Sequence, residues 1–134
     1  MKYFLVYLSS FFLYILLDMV WVQGIAKNFI HKMVGPLMAE NADLKAGILF
    51  YLIFAAGITV FAVVPALESG SWSKAMTLGA LLGMVSYGTY ELVNRALLKN
   101  WPYTLVWVDI AYGIIACALV STLVYWLADK FYWQ

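Results

Sequence analysis

Three acidic side chains, Asp18, Glu91 and Asp109, interrupt otherwise apolar stretches of this chain. An ionisable group at mid-membrane costs about 2.5–3.5 kcal/mol on insertion scales, so such residues usually face a bundle interior. Asp18 lies nine residues before Lys27, Glu91 eight before Lys99, and Asp109 seven after Pro102. At the helical rise these offsets amount to roughly 13, 12 and 10 Å from one membrane face, here called side B. Three helices thus bring a carboxyl to one level. Together the three would repel in a low dielectric, so at least one keeps a proton. The remaining charge suits a proton, a cation or a substrate amine, the vocabulary of a transporter or channel. The plainer alternative is a buried hydrogen-bond network that holds the helices in register.

The neighbours of the acids have matching chemistry. Asn94 and Arg95 follow Glu91 at helical spacing, and Tyr87 precedes it by one turn. Arg95 is expected to neutralise one acid, with Glu91 as its natural partner. Tyr14 and Trp21 flank Asp18, Gln23 lies nearer side B, and Tyr112 follows Asp109 by a turn. Tyrosine and tryptophan can hydrogen-bond a buried carboxyl while presenting an apolar flank. The candidate binding set is therefore Asp18, Glu91, Asp109, Asn94, Tyr87, Arg95, Tyr112, Trp21 and Gln23. No metal site or cofactor is expected, since the chain has one histidine and one cysteine. No nucleophile elbow, phosphate loop, HExxH or dinucleotide motif is present.

The elements that hold these residues follow from composition. Of 134 residues, 66% are hydrophobic and 11% charged, far from the balance of a soluble domain. A net charge of +1 provides no basic field for nucleic acid. Four apolar stretches, about residues 3–26, 46–67, 75–98 and 103–128, are long enough to cross a bilayer. Short polar breaks at Glu68–Ser71 and Lys99–Pro102 force antiparallel neighbours. The expected fold is one all-α integral membrane domain over 1–134, an up-down bundle of four transmembrane helices. Lys2 before the first run, and Gly24-Ile25-Ala26 after it, resemble a signal peptide. That run is read as a retained span.

Residues 27–45 hold most of the hydrophilic positions and the Gly35-Pro36 turn, and read as a loop, with Asp43 as the N-cap of the second span. His31 with Lys27 and Lys32 reads as a solvated face, and Cys117 as a small packing residue. Trp72, Trp101, Trp126, Trp133, Tyr132 and Tyr3 sit near span ends as interfacial anchors. Side B carries five Lys and Arg against three on the side of the termini. The positive-inside rule therefore puts both termini in the periplasm. Gly79-xxx-Gly83 gives the third span a small-residue stripe, expected as the seam of a homodimer. An internal repeat is suggested by YILLDMV at Tyr14–Val20 and YGTYELV at Tyr87–Val93, which sets Asp18 opposite Glu91. Its continuation sets Leu49–Ile58 beside Leu105–Ile114, with Ile53 opposite Asp109.

Several of these residues also carry a family resemblance. Leu17-Asp18 with Trp21, Gly35-Pro36, Phe50-Tyr51 through Pro65, Tyr87–Asn94, Trp101-Pro102, Asp109 and Tyr112-Gly113 resemble the bacterial membrane-protein family called domain of unknown function 2177. The resemblance covers nearly the whole chain. The family more often carries aspartate at the position of Glu91 and tryptophan at that of Tyr112, so the site chemistry here differs slightly. The resemblance implies a four-span protein of the bacterial inner membrane with no assigned activity. It also implies neighbourhoods of unsaturated or cyclopropane fatty-acid genes, which admit a lipid-related role.

Three functions are consistent with these readings. The first is binding or moving a proton, a small cation or a polar-headed lipid in the acidic pocket. The second is a lipid- or fatty-acid-modifying enzyme, or its accessory subunit, with a buried carboxyl as acid or base. The third is a scaffold whose acids pin helices. Membrane lipids, and a second copy of the chain, are the expected partners.

Overall fold

A computed structural model describes residues 1–133, which are helical without strands. Helix α1 runs Lys2–Met19 and continues through a π-helical turn, Val20–Ile25; α2 is Lys27–Val34, followed by a 3₁₀ turn at Gly35–Leu37. Helix α3, Leu44–Ile58, passes through a second π turn, Thr59–Val63, into α4, Val64–Ser69. Helices α5, Trp72–Leu97, and α6, Tyr103–Phe131, are the longest.

Three continuous helices, Lys2–Ile25, Leu44–Ser69 and Tyr103–Phe131, are long and apolar enough to cross a membrane. Helix α5 matches them in length, at 26 residues, but interleaves Gly, Ser, Thr, Tyr, Glu and Asn with its apolar positions.

Local chemistry explains the boundaries. Asp43 caps α3 as the sequence predicts, accepting from the Ala46 amide at 3.2 Å. Ser71 caps α5 through the Lys74 amide at 3.2 Å, which starts that helix three residues before the expected position 75. Gly70 ends α4 with φ of 66°, a left-handed geometry that glycine adopts without steric cost. The wide turn at Thr59–Val63 leads into Pro65, which cannot donate to the carbonyl four residues back.

Helix α6 is the central element. Half of its apolar window is buried by the other helices, against 22% and 28% for the other two. Its Cys117, Val120, Val124, Tyr125 and Ala128 join Val6, Tyr14, Ile58 and Val63 in the main core. Helix α5 lies against it at a distance that only glycine permits. A Cβ on Gly79 would stand 2.5 Å from the Cys117 carbonyl oxygen, and one on Gly83 would overlap the backbone of Gly113. A Cβ on Gly113 would in turn overlap the Tyr87 ring. The stripe expected as a dimer seam is therefore consumed inside the chain, between α5 and α6.

Residues 27–45, read as a loop, contain a real helix. Its apolar positions, Phe29, Ile30, Met33 and Val34, recur at helical spacing and pack on Trp101, Leu105 and Val106. His31, Lys32 and Lys27 stay exposed on the other face. This second cluster buries Trp101 to 8% exposure, so Trp101 is a packed residue and not the interfacial anchor expected. Trp72 and Trp126 do sit exposed and adjacent, rings 5.8 Å apart, and Lys2 lies 4.3 Å from the Trp133 ring.

Gly83→Ala is expected to force α5 from α6 and to lower stability by about 1–3 kcal/mol, the range for overpacking. Gly47→Ala, where a Cβ meets nothing within 4 Å, is expected to be neutral or to stabilise by up to about 1 kcal/mol. Thermal unfolding in detergent micelles, followed by loss of helix, checks both.

Candidate functional site

The acids are positioned by three helices and linked mainly through aromatic donors. Asp18, buried on α1, accepts two hydrogen bonds: Tyr51 Oη donates to Oδ2 at 2.6 Å and Tyr112 Oη to Oδ1 at 2.8 Å. One carboxylate thus ties α1 to α3 and α6. Glu91, 1% exposed on α5, accepts from Trp101 Nε1 at 2.8 Å. Just above the Asp18 pair, the hydroxyls of Tyr14 and Tyr87 are hydrogen-bonded to each other. Asp109 differs from the other two acids. No hydroxyl or indole donor reaches it among the described residues, and it lines one cavity together with Glu91.

Two adjoining cavities hold these groups. The larger, about 490 Å³, is lined by Asp18, Asp109, Trp21, Tyr87, Tyr90 and Tyr112, with Phe50 and Phe54 on the α3 wall and Ile30 of α2 overhead. Its size lies within the range of small-molecule pockets. The second, about 410 Å³, lies between α2 and the ends of α5 and α6, with Glu91, Asn94 and Asp109 among its lining residues. Ile30, Tyr90 and Asp109 line both. Asp109 is the acid that faces each cavity.

Of the nine residues singled out, seven line these spaces: Asp18, Trp21, Tyr87, Asp109 and Tyr112 the first, and Glu91, Asn94 and Asp109 the second. The structure does not bring Arg95 or Gln23 to them. Arg95 turns away from Glu91: its Nη1 donates to the Trp101 carbonyl at 2.8 Å, and its guanidinium stacks 4.0 Å from the Tyr103 ring centroid. A guanidinium near a helix end reaches a free carbonyl and an exposed aromatic face at less desolvation cost than a buried carboxylate demands. The indole of Trp101 takes the place expected for Arg95. Gln23 lies exposed on the π turn.

Sequence spacing missed Tyr51, Trp101 and Tyr90 as site residues, along with the α3 aromatic wall. The Tyr90–Glu91 adjacency gave no cue, because successive helical residues do not share a face. The proposed repeat is uneven. Tyr14 and Tyr87, matched in the alignment, do meet. Ile53, matched to Asp109, is 64% exposed and lies on an outward face.

A helical chain with three membrane-length apolar helices and acids buried among them is an integral membrane protein. It belongs to the family described as "Predicted membrane protein (DUF2177)", whose model matches residues 3–126. No curated protein and no solved structure matches it.

Removing one donor from Asp18 leaves a buried carboxylate with half its partners. Tyr112→Phe is expected to cost about 1.5–3 kcal/mol, the range for hydrogen bonds to charged groups. Tyr7→Phe, on the same bundle with an exposed hydroxyl bond, is expected to cost less than about 1 kcal/mol. Paired thermal unfolding curves in one detergent read the difference.

Proposed function

We propose that the chain forms a single domain of four transmembrane helices, with α5 as the fourth span, in a bacterial inner membrane. Gly79 and Gly83 of α5 face α6, and Ser86, Tyr87 and Tyr90 line the chamber, so much of what lowers its apolarity is turned inward and is compatible with crossing. Both termini share one side, periplasmic by the lysine and arginine distribution. Within the bundle, the acidic chamber binds and moves a proton, a small cation or a polar-headed lipid.

The observation that carries this reading is the contrast among the acids. Asp18 and Glu91 have aromatic donors and serve to fix the helices as well as to set the local field. Asp109 has no such donor among the described residues and stands where the two cavities meet. Two acids on one cavity wall repel when both are ionised, so a proton or cation arriving between Glu91 and Asp109 relieves that repulsion. A half-buried acid without a protein donor takes its partner from elsewhere, and at Asp109 about 490 Å³ of adjoining space leaves room for one. The hydroxyls and rings around it supply cation–π faces and hydrogen-bond partners. Ile30 of α2 adds an apolar wall to the chamber.

Proteoliposomes test this with two probes, protons reported by an internal pH dye and radiolabelled ethylammonium. Wild type is expected to conduct at least one of them. Asp109→Asn is expected to reduce the rate by about tenfold or more, and Glu91→Gln to reduce it less. Equal flux in wild type and Asp109→Asn, or no flux of either probe, would overturn the proposal.

A further inference from the structure

A third cavity, about 420 Å³, opens between α1 with its π turn and α6, and its lining is almost wholly apolar. Val20, Ile25, Ile115 and Leu119 form its outer rim and are 51, 67, 65 and 45% exposed, so this groove faces the lipid phase. Trp21 and Tyr112 belong to its wall and equally to the wall of the acidic chamber. Their rings stack with centroids 4.5 Å apart and planes 10° from parallel. A partition two aromatic rings thick is therefore all that separates a bilayer-facing slot from Asp18 and Asp109. The two rings are held differently. Trp21 rides on a π turn, a local widening often found at functional sites, and Tyr112 is held through its hydroxyl to Asp18.

From this juxtaposition we infer that groove and chamber form one continuous site for a single-chain amphiphile with an ammonium head. The alkyl chain lies in the groove between α1 and α6. The head passes the Trp21–Tyr112 partition and rests between the Asp18 and Asp109 carboxyls, ringed by Trp21, Tyr87, Tyr90 and Tyr112. Charge complementarity selects the head: acids and aromatic faces attract an organic cation and repel a carboxylate or sulfate of equal chain length. The chain itself gains little by leaving lipid for an apolar slot, so selectivity resides in the head and position in the groove. This inference rests on the reading of the chamber as a cation site, and adds the class of ligand and its lateral route of entry.

Photo-crosslinking in phosphatidylcholine vesicles tests it, with a dodecylamine carrying a diazirine near the chain end and the full-length chain as target. Labelled peptides are expected to cluster around Val20, Ile115 and Leu119. Unlabelled dodecylamine is expected to displace the label about tenfold better than dodecanol or dodecanoate, the scale of a desolvated cation–π contact. Asp109→Asn is expected to erase that preference. Ile115→Trp, which fills the groove from an exposed position outside the acidic chamber, is expected to cut groove labelling about fivefold while leaving ethylammonium uptake unchanged. Labelling spread evenly over outward residues such as Phe61 and Leu81, with amine and alcohol competing equally, identifies ordinary boundary lipid and overturns the inference. Ethylammonium uptake persisting in that case leaves the chamber reading standing, whereas the absence of both ethylammonium and proton flux in wild type strikes the chamber reading itself.

Discussion

The close approach of α5 to α6 is the constraint on which the rest of the molecule depends. Apolar side chains gain little by leaving lipid for one another, so packing detail and polar contacts decide how membrane helices associate. Here Gly79, Gly83 and Gly113 let two backbones and the Tyr87 ring meet where any Cβ would intrude. That contact brings Glu91 and Asp109, one from each helix, to the wall of one cavity. It also directs Tyr87 toward Tyr14 on α1. Widening the seam by one methyl group would separate groups that act only at contact distance.

Around this seam the aromatic side chains have two duties. They fill the bundle, and they supply the hydroxyl and indole donors that let acids stay inside it. Tyr51, Tyr112 and Trp101 each approach a carboxyl with an apolar body and a polar tip. Such donors add no charge, so the helices can be joined without the desolvation cost of a second ion.

Much of this was legible in the sequence because the membrane simplifies the problem. Apolar runs of spanning length announce helices, and an acid within them announces an interior face. The levels of Asp18, Glu91 and Asp109 could be counted from the nearest polar breaks. Side-chain direction could not. Arg95 stands four residues from Glu91, and spacing alone favoured a pair; the free Trp101 carbonyl and the Tyr103 face offered it a less costly place near the helix end. The α2 helix escaped notice because its apolar stripe is short and its partners, Trp101, Leu105 and Val106, lie some seventy residues on. The glycine stripe was visible, but the identity of its partner depends on tertiary packing that a one-dimensional pattern does not contain.

The outward turn of Arg95 has an electrostatic consequence. That guanidinium contacts a backbone carbonyl and a tyrosine face, and among the described residues no ion pair joins a fixed positive charge to the acids of the chamber, so each acid that ionises adds negative potential there. Mobile ions screen exposed charges over about 8–10 Å in physiological solutions, and buried or partly buried charges much less. The negative potential of ionised acids inside this cavity should therefore persist at ionic strengths that erase the fields of exposed lysines.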